Sequence, residues 1–176
     1  TDSLLNLVGG SPTVLKLLQS TQGRGVVLAE TKKAGEAVIS AFQGLDANFI
    51  AQEFVKEAAG SDVRCFVVGK RVVGGMMRTA GTDDFRSNLH AGGSAKKVIL
   101  SKEEKSIAIK SARVLGLTVA GVDLIRTQTG SKVLEVNSSP GLEGLENISK
   151  KNVAEKIIAH IEKSVPSTNW QKRSRN

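Results

Sequence analysis

Apolar residues recur along this chain in two rhythms, a short alternation that marks strands and a three-to-four spacing that marks helices. Ala34, Ala37, Val38, Ala41 and Phe42 keep the helical spacing over 32–42, and Gly44 is expected to stop it. A second helix opens at Ser101, where Glu104 three residues on completes a capping box, and runs through Ile107, Ala108, Ala112 and Leu115 to Gly116. A third begins near Asn152, with Glu155 in the matching position, and continues to residue 165. Leu4, Leu5, Leu7 and Val8 form a shorter helical cluster ending at Gly9-Gly10, which places the start of the chain inside a structure rather than at a natural edge. Strands are expected at 13–18, 26–29, 48–55, 63–68, 71–77, 119–126 and 132–137. Gly69-Lys70 forms a two-residue hairpin turn. Residues 81–94 form a long polar loop, and a loop of that length is often functional. No internal repeat interrupts this order. It predicts an α+β fold, with antiparallel sheets built from hairpins and helices packed on one face.

The last hairpin carries the most chemistry. With its centre near Thr129, Asp123 falls opposite Glu135, and Asn137, two residues on, points to the same side. Ile125 and Val133 share that side, so the carboxylates are expected on a partly apolar surface. Like charges set opposite each other weaken a sheet. A hard divalent cation, Mg²⁺ or Mn²⁺, reverses that sign, because it takes carboxylate and amide oxygens, usually beside substrate phosphates. An exposed hairpin with scattered polar residues is the plainer alternative. The metal reading needs groups elsewhere that hold phosphates. Lys16, on the Val14/Leu18 side of its strand, either snorkels to water or aims into a cleft at a phosphate. Gly23-Arg24-Gly25 either offers backbone N–H groups to phosphates or simply turns a hairpin. It is not a Walker loop, since no Gly-Lys-Ser/Thr follows, nor a dinucleotide fingerprint, since a strand comes next. Arg86, Ser87 and Asn88 add donors in the long loop.

Composition narrows the classes. The 176 residues suffice for one domain or two small ones with a real core. The formal net charge of +8 admits anionic partners. Five Phe, one Trp and no Tyr leave few base-stacking platforms, so direct nucleic-acid recognition is not expected. No apolar run approaches the roughly 20 residues of a membrane span, and no charged-then-apolar leader opens the chain, so a cytoplasmic protein is expected. The single Cys65 excludes an internal disulfide and reads as a buried small hydrophobe.

Lys16, Gln22-Gly23-Arg24-Gly25, Gln52-Glu53-Phe54, Asp62-Val63-Arg64, the run from Phe85 to His90, Gly121-Val122-Asp123 and the run from Glu135 to Gly141 together resemble the motifs of the ATP-grasp ligases. Within these the chain is most similar to the RimK type, whose members add glutamate to the C-terminus of a small-subunit ribosomal protein. The likeness spans 8–163, and GGSP, TQGRGV, DFRSNLH and EVNSSPGLEG are specific to that branch.

The resemblance implies a partial ATP-grasp fold. Residues 1–53 would belong to the central, phosphate-lid subdomain and 54–165 to the C-terminal subdomain with the metal site, leaving 166–176 as a basic, disordered tail. It implies ATP and a pair of ions, Mg²⁺ or Mn²⁺, as cofactors. Lys16 and the Gln22–Gly25 lid would contact phosphates, Glu53 and Phe54 the adenine, and Asp62 the nucleotide near its ribose. Arg86, Ser87 and Asn88 would form the ATP-side loop, and Asp123, Glu135 and Asn137 would ligate metal. Lys16 and Arg86 would add fixed positive charge at the transferring phosphoryl group. A substrate carboxylate would form an acyl phosphate that an amine converts to an amide, so no Ser, Cys or His nucleophile is required. His90 would position substrate or be satisfied within its loop, and His160 would be on the surface. Family members carry an N-terminal domain and a second phosphate lysine ahead of the position of Thr1, so the chain is expected to be a C-terminal portion. Partners implied are ATP, glutamate and a protein acceptor, the ribosomal protein C-terminus, with homo-oligomers allowed. The alternatives are a non-catalytic nucleotide-binding module, or a ligase for another acceptor, such as an amino-group carrier protein or a deazaflavin cofactor.

Overall fold

The computed structural model describes residues 2–20, 23–82, 84–87 and 92–165. The expectations for Gln22, Asn88, His90 and the tail 166–176 lie outside the described residues. Two compact units divide the chain: one holds residues up to 61 together with 79–94, the other 62–78 and the residues from 95 onward.

In the first unit, α1 (Asp2–Leu7), β1 (Thr13–Leu17), β2 (Val26–Ala29), α2 (Lys32–Gly44) and β3 (Phe49–Glu53) follow in order. The strands form an antiparallel sheet, β2-β1-β3. One face, with Leu15 and Ala29 buried, packs with Leu5 of α1 and Ile39 of α2, joined by Phe42, Phe49 and Ala51. Gly35 permits the two helices to approach: a Cβ there would stand 3.1 Å from Leu5. Thr31 caps α2 by accepting from the Ala34 N–H at 3.2 Å. Gly44 is the last residue of that helix rather than its stop. The chain leaves at Leu45, whose N–H still reaches the Ala41 carbonyl, and Asp46 takes the positive φ of 51°.

The second unit is built on a five-stranded sheet, β6-β5-β4-β7-β8. Its strands are β4 (Ser61–Val68), β5 (Arg71–Thr79), β6 (Ser94–Lys97), β7 (Val119–Thr127) and β8 (Gly130–Asn137). Its helices are α3 (Lys102–Val114), α4 (Glu143–Ser149) and α5 (Val153–Ser164). Val63, Cys65, Val67, Ala120, Val122 and Leu124 meet Leu100, Ala108 and Ala112 on one side. Gly74 and Gly75 show that the other side is covered as well, since neighbours in a strand point to opposite faces. A Cβ on Gly75 would meet Leu100, and one on Gly74 would meet Leu145 of α4, 3.0 Å away. Helices therefore cover both faces of this sheet, which corrects the expectation of one. Among the described residues, no helix is long and apolar enough to cross a membrane.

Glu104 ties α3 to the sheet. The Ser101 side chain accepts from the Glu104 N–H at 3.0 Å, and Glu104 accepts from the Ser101 N–H at 2.8 Å, the reciprocal cap expected from the sequence. The same carboxylate accepts from Arg126 Nε at 2.7 Å and from its Nη2 at 3.1 Å. Burial works to raise the Glu104 pKa, but Arg126 and the Ser101 N–H outweigh it and hold the group below its ordinary 4.5. Glu104→Gln is expected to cost about 2 kcal/mol at neutral pH in urea unfolding. Because the folded pKa is depressed, this contribution is whole above the unfolded value and lost as pH falls through the folded one. The gap between the two proteins should therefore close only in acid.

Candidate active site

A row of charged side chains crosses four neighbouring strands of the second unit. Arg78 comes from β5, Asp62 and Arg64 from β4, Asp123 from β7, and Glu135 from β8. Arg64 lies directly opposite Asp123, and Asp123 directly opposite Glu135, the second pairing being the register expected from the sequence. Asp123 has 0 % of its surface exposed. Its Oδ1 accepts from Arg64 Nε at 2.7 Å, and its Oδ2 from Arg64 Nη2 at 2.6 Å and Arg78 Nη2 at 2.6 Å. Arg78 also grips Asp62, donating through Nε to Oδ1 at 2.7 Å and through Nη2 to Oδ2 at 2.8 Å. Burial works against the Arg78 charge, yet Asp123 and Asp62 outweigh it and raise its pKa. The partly apolar surface expected around Asp123 is thus an ionic network, because two guanidiniums are needed to offset the cost of burying two carboxylates.

The edge of the row is more open. The Glu135 side chain is 46 % exposed, with Oε1 4.0 Å from Arg64 Nη2. Asn137 donates through Nδ2 to the same oxygen at 3.1 Å, so these two expected ligands do share a side. A bulge between Asp123 and Leu124 shifts the rest of the hairpin, placing Val133 opposite Leu124 and Lys132 opposite Ile125. The expected pairing of Val133 with the Ile125 side fails for that reason. Gly121 is required beside this row, since a Cβ there would come within 2.8 Å of Pro140 and 3.7 Å of Arg64 Nε. Cys65 takes no part. It is buried, and that burial, then Glu104 and Asp123, push its thiol up to about 12.

The first unit carries the expected phosphate-side residues. Lys16 is half-buried and stands opposite Val26 and Ile50, while Val14 stands opposite Leu28 and Gln52. Directly opposed residues share a face, so Lys16 and Gln52 lie on the sheet face away from α1 and α2. Gln52 Oε1 is buried with no hydrogen-bond partner among the described residues. Glu53, exposed, ends β3, and the ring of Phe54 meets Phe85 edge to face at 6.2 Å.

Arg86 is held within its own neighbourhood. It donates to Asp84 through Nε at 3.0 Å and Nη2 at 2.8 Å, and through Nη1 to the Gly23 carbonyl at 2.9 Å. Its hydrogen bond holds the Asp84 carboxyl below its ordinary range, and Asp84 in turn raises the guanidinium. The Gly23–Gly25 loop is therefore anchored by Arg86, by the Ser20 hydroxyl donating to the Arg24 carbonyl, and by the Leu17 N–H donating to the Gly25 carbonyl at 3.0 Å. Ser87 follows, half-buried. An open cleft of about 560 Å³ lies alongside, lined by Leu28, Glu30, Thr31, Ala34, Asp84 and Phe85.

Sequence reasoning assigned no role to Arg64, Arg78, Asp84 or Gln52. For Arg64 a signal existed: Asp62 and Arg64 alternate with Val63 and Cys65 in an otherwise apolar strand, which places two charges on one face.

Comparison with known proteins matches residues 1–161 to the model of the RimK-like ATP-grasp domain. A protein of Alkalilimnicola ehrlichii named probable alpha-L-glutamate ligase is 57% identical over 175 residues, covering 99% of this chain and 58% of its own length. The chain thus spans little more than half the length of the curated relatives it matches. The solved ATP-grasp ligase PsnB, complexed with minimal precursor, Mg and ADP, superposes with a TM-score of 0.69 at 21% identity, over 93% of this chain and 50% of that one. The RimK domain protein ATP-grasp of Sphaerobacter thermophilus gives 0.62 at 22%, over 93% and 57%. At these identities the structures speak to the fold alone, and that fold is ATP-grasp.

Arg78→Met is expected to lower the unfolding free energy by about 3–5 kcal/mol, because it strips partners from two buried carboxylates at once. Chemical denaturation monitored by circular dichroism measures it.

Proposed function

Because the chain belongs to the RimK-like ATP-grasp domain family, we propose that it is the nucleotide- and metal-binding part of an ATP-dependent carboxylate–amine ligase. The observation that carries the reading is the register of Asp123 opposite Glu135, with Asn137 bonded to Glu135. That arrangement collects three oxygen-bearing side chains on one side of a hairpin, the donor chemistry of a hard cation. Among the described residues no three His, Cys, Asp or Glu side chains gather to hold a metal, and the proposed set is two carboxylates with the amide of Asn137. The guanidiniums at Asp123 support the fit, since positive charge already stands where a cation would neutralise the carboxylates. Asp123, Glu135 and Asn137 would hold Mg²⁺ or Mn²⁺, which supplies charge neutralisation at phosphate oxygens.

The first unit fits the nucleotide. Its sheet face offers apolar Val14, Leu28 and Ile50 beside Lys16, and the unpaired Gln52 Oε1 suits the 6-amino group of adenine. Glu53 and Phe54 follow directly at the end of β3, Lys16 supplies charge for phosphates, and the backbone N–H groups of Gly23, Arg24 and Gly25 add donors. Gln22 and Asn88 complete the set that the family resemblance assigns. Arg86, with Ser87 beside it, serves this loop first, through the Gly23 carbonyl. Asp62 acts through Arg78.

In the proposed reaction a carboxylate oxygen attacks the γ-phosphorus of ATP, the bond to the bridging oxygen breaks, and ADP leaves. The amine of glutamate then attacks the acyl carbon of the acyl phosphate, phosphate departs, and the amine proton passes to solvent. The acceptor we assign is the C-terminus of a small-subunit ribosomal protein, in the cytoplasm. The name of the Alkalilimnicola relative supports glutamate as the added group. That the chain spans only part of such relatives favours one second reading, a module that binds nucleotide without catalysis.

Phosphate release with Mg-ATP, glutamate and the ribosomal acceptor, each omitted in turn, tests this, with acceptor mass read alongside. Release and a glutamyl mass gain only in the complete mixture are expected. Release that ignores glutamate contradicts the reading, and nucleotide binding without release favours the module. A gain confined to a carrier protein or a deazaflavin would reassign the acceptor. Gln52→Leu is expected to weaken ATP binding roughly tenfold by calorimetry while leaving GTP, whose base lacks the 6-amino donor, little changed.

A further inference from the structure

The two arginines on Asp123 are not held alike. Arg78 divides three hydrogen bonds between Asp62 and Asp123, so losing Asp123 costs it one of the three. Among the described residues, Arg64 makes two side-chain hydrogen bonds, and both go to Asp123. Among the described residues, Oδ1 of Asp123 accepts from Arg64 alone, while Oδ2 is shared by both arginines. Releasing Arg64 would free Oδ1 and half-free Oδ2; releasing Arg78 would leave Oδ1 occupied. Arg64 also lies toward Glu135, with Nη2 2.6 Å from Asp123 Oδ2 and 4.0 Å from Glu135 Oε1.

We propose that Arg64 is a displaceable counter-ion, standing for the divalent cation at the Asp123–Glu135 pair and leaving Asp123 when the cation enters. Arg78 remains as the permanent clamp that keeps Asp123 aimed. The inference rests on Asp123, Glu135 and Asn137 being the metal ligands. Its physical basis is competition for the same lone pairs, joined to repulsion between a guanidinium and a divalent ion at one carboxylate. Asp62, Asp123, Arg64 and Arg78 sum to no net charge, so the buried cluster draws a cation strongly only once Arg64 has moved. The exchange lets the site remain paired without metal, where an uncompensated buried Asp123 would be costly. By linkage, whatever draws Arg64 away strengthens metal binding, and metal frees Arg64 to the same extent.

Mn²⁺ binding to the full chain, followed by electron paramagnetic resonance, tests the exchange without reference to activity. Arg64→Gln is expected to bind Mn²⁺ about tenfold more tightly than the wild type. Arg71→Gln removes one exposed charge elsewhere and should leave binding unchanged, whereas Glu135→Gln should abolish it. Arg64→Lys, a conservative replacement that keeps the charge but not the fork, should fall between wild type and Arg64→Gln. In a Mg²⁺ titration by NMR, the Nε–H signal missing from Arg64→Gln should shift while that of Arg78 stays. Mn²⁺ binding lost in Glu135→Gln but not strengthened in Arg64→Gln, or an Arg64 signal unmoved at saturating Mg²⁺, overturns the counter-ion role and leaves the metal site standing. No Mn²⁺ binding by wild type or Arg64→Gln overturns both.

Discussion

A carboxylate with none of its surface exposed, inside a five-stranded sheet, is the constraint on which the second unit depends. Arg64 and Arg78 reach Asp123 from the two strands next in order and offset the cost of burying it, and Arg78 is fixed by a second buried carboxylate, Asp62. The strand order β5-β4-β7-β8 puts these groups in one row, and Gly121 leaves the space that Arg64 and Pro140 occupy. The row is almost wholly buried from Arg78 to Asp123, while its end at Glu135 is open to solvent. Rigidity at one end and access at the other suit the metal-dependent site proposed for this row.

The first unit works by the opposite arrangement. Its three-stranded sheet buries one face against α1 and α2, and the other face carries Lys16, Ile50 and Gln52, whose Oε1 has no partner among the described residues. An apolar floor with one charge and one unmet acceptor is a surface suited to a base and its phosphates. Asp84 holds Arg86, and Arg86 holds the Gly23 carbonyl, so a glycine loop that would otherwise wander has a fixed anchor. Arg86 thus serves as a structural anchor of that loop.

Features set by local chemistry were legible in the sequence. The cap at Ser101 and Glu104, the Asn152 cap, the turn at Gly69-Lys70 and the pairing of Asp123 with Glu135 all follow from spacings of a few residues. What was not legible depends on distant partners. α4 has seven residues and a single buried one, Leu145, so it shows no period. β6 reads as polar, Ser-Ala-Lys-Lys, because it is an edge strand protected by its lysines. The bulge after Asp123 leaves no mark that a period-two reading can detect. Arg78 sits near the end of a strand and looks like an exposed cation until the fold brings it to Asp62 and Asp123, 16 and 45 residues away in the chain.

Thermal unfolding of this chain and of Glu135→Gln, each with ATP in the presence and absence of Mg²⁺, tests the central claim most directly. Glu135 is half exposed, so its replacement should alter the site without undermining the fold. At about 100 times the dissociation constant, Mg-ATP should stabilise the wild type by about 2.7 kcal/mol, a rise in Tm of roughly 5–10 °C. That rise should need Mg²⁺ and be lost in Glu135→Gln. An equal rise without Mg²⁺, or in the variant, would contradict a metal-assisted nucleotide site on the β7–β8 hairpin, and no rise in either protein would show that this chain does not hold the nucleotide by itself.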